Sequence, residues 1–520
     1  MSAHSGRNPR GRDMPQGYPR PDPRAIPSVR RDLCVRWRPS APAFPDTRAS
    51  RRARGALRQE RTRFPMTAYD PSESKLNVGY ILLLSLVAAF GGFLFGYDTA
   101  VIAGANKYLE TYFALGSGGL GFATGVMLLG CMAGVMIAGP AGDRLGRRTG
   151  LLLCGLGFGL SSYATAIPET LTAFWWARFA GGIAIGAVSI LSPIYIAEIA
   201  PERIRGRLVS LYQLAIVTGI AAAFFVNTLI QGQGDAAWNT ATGWRWMFAS
   251  LIVPSAAFMA LLAAVPESPR WLVKAGRRDA GRAVLERIGG AASAARGMAQ
   301  IEEALASEEG RWSELLTPRY SRPLILGATL AVFSQFSGIN AIMYYAPKVF
   351  ETAGTETSAA FWQTVIVGMV NIAFTFVSIG LVDRLGRKPL LAVGTGLQAV
   401  MLTVVGFAFS RDLGGGVLLV GVLGFVAAFA MAMGPVSWIV NSEIFPTKLR
   451  GRAMGVSILL LWLADYIVTQ TFPMLKDGIG PAATFWIYAG CSLASTLFVV
   501  CCLPETKGKT LEEIEAGWGR

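Results

Sequence analysis

Twelve stretches of roughly 20 mostly apolar residues run through this 520-residue chain, and about 20 residues is the length a helix needs to cross a bilayer. They fall at roughly 79–104, 119–141, 149–167, 171–196, 208–230, 246–265, 322–348, 360–381, 389–409, 415–440, 454–474 and 480–503. Lipid offers no water to unpaired backbone groups, so spans of this length must be helical. The expected fold class is therefore an all-α membrane protein. Composition agrees: 16% of residues are charged, against about 25% in a soluble domain. Glycine, which lets membrane helices approach closely, occurs 60 times.

The net charge of +15 is unevenly placed. Residues 1–65 hold 16 Lys/Arg and 5 Asp/Glu, a net of +11, which leaves 32 basic and 28 acidic residues, +4, in 66–520. Basicity confined to a tail gives no support to nucleic-acid binding by the whole chain. That tail is rich in Arg and Pro, without the apolar run of a signal peptide; the Arg30-Arg31 pair has no hydrophobic region after it. Residues 1–75 are expected to form a disordered basic extension, with Met66 as the true start and 1–65 as upstream sequence.

Five of the six cysteines, Cys131, Cys154, Cys491, Cys501 and Cys502, fall in or at the end of apolar runs, and Cys34 lies in the tail. None has a metal-ligand spacing, and all read as small buried apolar groups. The single histidine, His4, is in the tail, so proton chemistry in the core must rest on carboxylates. No cofactor or metal is expected, and without a nucleophile motif an enzyme is the least supported class.

Loops after even-numbered spans are basic, including Asp143 to Arg148, Arg203 to Arg207, the 266–321 segment, Asp383 to Lys388 and Lys448 to Arg452. The opposite loops carry scattered charges such as Lys107, Glu169, Asp235, Glu351 and Lys476. Positive residues stay inside, which predicts cytoplasmic termini in an inner or plasma membrane.

The chain also repeats itself. Asp143-Arg-Leu-Gly-Arg-Arg148 returns as Asp383-Arg-Leu-Gly-Arg-Lys388, 240 residues on. Glu198 to Arg207 returns as Glu443 to Arg452, and Pro266-Glu267-Ser268 as Pro504-Glu505-Thr506. Motifs recurring in one order at nearly one offset predict two six-helix halves in parallel repeat, with a substrate held between them near the midplane. The expected division is 76–265, a cytoplasmic linker at 266–321, 322–503, and a tail at 504–520. Apolar spacing at Ala283, Leu285 and Ile288, and at Ile301 and Leu305, predicts short amphipathic linker helices.

Several stretches carry a family resemblance: Gly96-Tyr97-Asp98-Thr99, the two Asp-Arg-Leu-Gly-Arg motifs, Pro266 to Arg270, Gln335-Phe-Ser-Gly-Ile-Asn340, Gly434 to Trp438 and Pro504 to Lys507. Together they make 75–515 resemble the sugar porter branch of the major facilitator superfamily, near bacterial xylose, arabinose and galactose proton symporters and facilitative glucose transporters. The resemblance implies a monosaccharide and a proton as ligands, the bilayer as surroundings and a monomeric functional unit.

Asp98 is the sole charge in a run of nearly 28 residues, Val78 to Ala105, and a carboxylate at that depth costs about 3 kcal/mol or more. Arg178, in the middle of the fourth span, is its expected partner. Desolvation and a neighbouring guanidinium act oppositely on such an acid, and in the family resembled a matching Asp–Arg pair carries proton coupling. Facilitative members usually have Asn there, so Asp98 favours a symporter over a uniporter. A non-transporting sugar sensor is the alternative from another class.

Sugar hydroxyls call for amides, and a sugar's C–H face for aromatic rings. Carried over from the family, Gln213, Gln335, Asn340 and Asn371 supply amides, Trp438 and Trp462 aromatic walls, Phe95 a lining side chain, and Tyr344 and Tyr345 an outer gate. Asp465, one turn after Trp462, stands where relatives commonly carry Asn; it is open to a sugar bond, a second protonation or a structural pairing. Ser334 and Leu461 replace frequent amides, which leaves the sugar open among xylose, glucose, galactose, arabinose and an inositol. The cytoplasmic motifs read as a latch in which Arg144, Arg148 and Arg205 meet Glu198 and Glu267, while Arg384, Arg387 and Arg450 meet Glu443 and Glu505, with Asp143 and Asp383 in the same motifs.

Overall fold

Each apolar stretch is a helix in the computed structural model, which describes residues 76–201, 204–306, 312–446, 448–509, 513–515 and 518. These fall within one unit, Ser72–Arg520. The readings placed on His4, Cys34, Arg30-Arg31 and the Met66 start lie outside the described residues, as does Arg203. Twelve helical segments are long and apolar enough to cross a membrane, from Val78–Tyr112 to Pro481–Cys502, and the chain is a multi-pass membrane protein.

Local chemistry sets the helix ends. The Asn77 side chain accepts from the amide of Tyr80 at 3.1 Å, and Thr170 and Asp235 cap the fourth and sixth spans in the same way. Proline opens the twelfth span at Pro481, where its missing N–H costs nothing. The first span runs to Tyr112 instead of stopping near 104, because Tyr112 packs its ring 5.5 Å from that of Trp244.

Three spans are broken, the sixth between Trp244–Ala249 and Ile252–Ala263 and two at sharper breaks. The seventh is two helices, Pro318–Phe336 and Ile339–Thr352, hinged at Gly338 in the left-handed region (φ 83°). A Cβ there would lie 2.8 Å from the Tyr488 ring, so the hinge needs glycine for both conformation and space. The tenth is Gly415–Met431 and Met433–Ile444, interrupted at Ala432.

Glycine contacts fix the packing of the N-terminal half. A Cβ on Gly130 or Gly134 of the second span would strike carbonyls of Phe179 and Ile183 at 2.1 and 2.3 Å; Gly182 and Gly186 of the fourth face carbonyls of Met127 and Cys131 at 1.9 and 2.1 Å. First and fifth spans interlock likewise, through Gly96 against the Ile216 carbonyl at 1.9 Å and Gly219 against that of Phe93 at 2.1 Å.

The linker contains helices Pro269–Lys274 and Arg278–Ala306, the latter bent at Gly290. Its buried register is Val284 and Ile288; Ala283 and Leu305, expected to face inward, are exposed. The reason is anchoring, since the Ile288 carbonyl accepts from the amide of Asn77 at 3.0 Å and turns that stripe toward the first span. Cys131 and Cys154 are buried as expected, but Cys501 and Cys502 are exposed on the last turn of the twelfth span. Those two face away from the core that buries Val499 and Leu503 on the other side of the turn, so the expectation of burial is corrected there.

Candidate functional site

Asp98 and Arg178 meet in the buried centre of the N-terminal half. Arg178 Nη1 donates to Asp98 Oδ1 at 2.5 Å, and Nη2 donates to the Asp98 carbonyl at 3.3 Å. Both side chains are nearly inaccessible, 4% and 2% exposed, and the guanidinium lies over the Phe248 ring, 5.2 Å from its centroid. The pair is incompletely satisfied: Asp98 Oδ2 and Arg178 Nε find no partner among the described residues. A Cβ on Gly181 would sit 3.3 Å from Oδ2 and 3.0 Å from Ser161 Oγ, so glycine leaves room beside the free oxygen. Ser161 and Gly181 were not singled out from sequence, because small residues in a membrane helix are too common to signal a site.

The hinge of the seventh span joins two of the amides. Gln335 ends the first piece, Asn340 begins the second, and Asn340 Nδ2 donates to Gln335 Oε1 at 2.8 Å. Gln335 Nε2 turns to Ser334 Oγ at 3.3 Å. Asn371 is buried and Gln213 half-buried, and neither side-chain amide is bonded within the described residues. Trp462 is buried with an unpartnered Nε1, and its ring faces Phe95 across the two halves at 5.6 Å. Trp438 is about a third exposed. Tyr344 and Asp465 are buried together, the hydroxyl donating to Oδ2 at 3.4 Å. Tyr345 instead donates to the Thr469 carbonyl.

At the basic end the repeated motifs build the same cluster twice. Gly146 (φ 98°) and Gly386 (φ 94°) turn the chain between spans. Glu267 accepts from the amides of Arg147 and Arg148 at 2.9 and 3.0 Å, and Glu505 from those of Arg387 and Lys388 at 3.1 and 3.0 Å. Arg147 pairs with Glu198 at 3.0 Å and Arg387 with Glu443 at 2.9 Å; Ser268 and Thr506 donate to the same acids. Asp143 and Asp383 add i,i+4 pairs to Arg147 and Arg387.

The arginine reaching Glu198 is thus Arg147, where Arg144, Arg148 and Arg205 were expected. Arg148 and Arg205 spend their guanidinium groups on carbonyls, of Leu262 and Ala263 and of Ala200 respectively. In the second half the Arg384 carbonyl accepts from Lys507. The motif spacing explains the difference, since only the residue just after the glycine turn points back along the fourth or tenth span. Around Glu505, burial pushes the carboxyl up, but amides of Lys507, Arg387, Lys388 and Thr506 outweigh it and hold the group below the ordinary glutamate value.

At the opposite end the two halves bind each other. Lys107 donates to Glu351 at 2.9 Å and Thr357 at 2.7 Å, and Lys348 pairs with Glu110. Asn106 Nδ2 donates to the Tyr344 carbonyl at 2.8 Å, and Gln470 Nε2 to the Gly118 carbonyl at 3.0 Å. Sequence reading missed this seam; its one trace was the isolated lysines in otherwise weakly charged loops.

Two pseudo-repeated six-helix bundles, each closed by one copy of the same glycine-turn cluster, define a transporter of the major facilitator fold. Within that fold the chain belongs to the family described as "Sugar (and other) transporter", whose model matches residues 84–518, a family of transporters and not of enzymes. It is 42% identical over 444 residues to the arabinose-proton symporter of Bacillus subtilis, covering 85% of this chain and 96% of that protein. To the D-xylose-proton symporter of Escherichia coli it is 40% identical over 477 residues, covering 86% and 97%. The inward-open structure of the E. coli xylose transporter XylE superposes with a TM-score of 0.77 at 39% identity, over 84% of this chain and 100% of that one.

Proposed function

We propose that the protein imports a monosaccharide by proton symport across the plasma membrane, with the basic end and both termini cytoplasmic. The observation carrying this reading is the buried Asp98–Arg178 pair, in which one carboxylate oxygen is left bare beside a glycine. A free lone pair in a dry site can take a proton, and protonation weakens the hold of the arginine. The proton-symporter relatives support the same assignment.

The sugar sits between the halves, bonded by Gln213, Gln335, Asn340 and Asn371 and flanked by Phe95, Trp438 and Trp462; Tyr344 closes the outer side. The two halves rock about this point, exposing it alternately, and one chain is the functional unit. One proton descending about 150 mV releases roughly 3.5 kcal/mol, which supports about a 300-fold sugar gradient.

The experiment is uptake of labelled D-xylose, L-arabinose, D-glucose and D-galactose into sealed proteoliposomes with and without an acid-outside gradient. Accumulation above equilibrium is expected only with the gradient, and Asp98→Asn is expected to abolish accumulation while keeping exchange. Equal uptake in both conditions makes the protein a uniporter. Unchanged accumulation by Asp98→Asn removes that acid from the mechanism.

A further inference from the structure

A second buried acid stands apart from the coupling pair. Asp465, in the eleventh span, is 1% exposed. Its oxygens are held only by neutral groups: Thr469 Oγ1 donates to Oδ1 at 3.2 Å and the Tyr344 hydroxyl to Oδ2 at 3.4 Å. Near it stand Tyr344 and Asn340 of the seventh span, Cys131 of the second and Thr469 of its own. Asp98 and Arg178 are bonded to each other, and neither is hydrogen-bonded to Asp465 among the described residues. Among the described residues no lysine or arginine comes within ion-pairing distance of Asp465.

Asp98 has a cation to balance it and Asp465 has none. A carboxylate in the bilayer interior without a countercharge sheds its cost by binding a proton. The surroundings serve both states: the Tyr344 hydroxyl donates to a carboxylate and, rotated, accepts from a carboxylic acid. We propose that Asp465 is a second proton-binding site, lodged in the C-terminal half. Its state reaches the seam between the halves directly, because Tyr344 bonds Asp465 by its hydroxyl and Asn106 of the first span by its carbonyl. Asn106 in turn accepts from Thr124 of the second span. Gaining a proton turns an acceptor of the Tyr344 hydroxyl into a donor, and so re-sets the helix piece that bears the crossing bond.

The inference deepens the proton-coupled reading, and its test uses no sugar, so either can fail alone. Infrared difference spectra between acidic and alkaline buffer are recorded on the full chain in nanodiscs, in H2O and D2O. Asp98→Asn should retain a deuterium-sensitive carboxylic C=O band that the Asp98→Asn/Asp465→Asn double variant loses. Asp98→Asn/Asp465→Glu should restore a band at a shifted frequency. Superimposable spectra of the single and double Asn variants overturn the proposal. Should the double Asn variant not fold, the frequency shift on Asp465→Glu decides alone, and its absence is equally fatal.

Discussion

The two ends of the molecule use the same kinds of residue in opposite ways. At the basic end the Arg147–Glu198 and Arg387–Glu443 clusters bond each half to itself. At the other end Lys107–Glu351 and Lys348–Glu110 bond one half to its counterpart. Charge placed inside a half makes it a rigid block, whereas charge placed across a seam holds one arrangement of two blocks. The Arg147 and Glu198 side chains are 11% and 8% exposed, those of Lys107 and Glu351 42% and 18%. Burial makes the former costly to break, and water keeps the latter reversible.

Glu198→Gln should show the largest effect, about 3 kcal/mol of lost stability, since it removes the buried carboxylate facing Arg147 and leaves only the half-exposed Asp143 to balance the guanidinium. Glu443, whose side chain is 23% exposed, should lose less on the same change, about 1–2 kcal/mol. Thermal melting in detergent compares the two, and equal losses would break the ranking by burial. Next come the turns: Gly146→Ala should cost about 1–3 kcal/mol for its positive φ. Gly386→Ala should cost less, because its added Cβ meets Glu505 at 2.9 Å where that of Gly146 meets Glu267 at 2.4 Å.

Glu351→Gln should change melting by no more than about 1 kcal/mol. It should still raise the population parted at that end up to about fivefold, the factor that energy represents. Faster hydrogen exchange over 339–352 is the readout, and unaltered exchange would deny the seam its conformational role. The smallest effect concerns Glu505. With its folded value below the ordinary one of about 4.3, its stabilising share is complete above that pH and disappears as acid titrates the folded carboxyl. Glu505→Gln should therefore flatten the acid limb of the stability curve and leave the neutral region nearly parallel to wild type.

Much of this architecture is legible in the residues. Apolar length gives the spans, and the glycine-turn motifs recurring 240 residues apart predict the twin halves. The isolation of Asp98 in an apolar run singles it out without any coordinate. What is not legible depends on direction. Motif membership does not tell which of three neighbouring arginines points at Glu198, because that is decided by the turn at Gly146. The Gln335–Asn340 bond depends on a hinge at Gly338 that breaks the span, and a continuous helix reading hides it. The seam opposite the basic end escapes for a plainer reason, since ion pairs between residues some 240 positions apart leave no local pattern.

The interlocked glycines of the N-terminal half carry one more implication. The fourth span cannot slide along the second, nor the first along the fifth, without bringing a residue that carries a Cβ against a neighbouring carbonyl. Each charge thus rides on a span held to one neighbour, Asp98 on the first beside the fifth and Arg178 on the fourth beside the second. Parting the acid from its cation is left to a swing of the long guanidinium arm about its own bonds, or to the two helix pairs shifting as units.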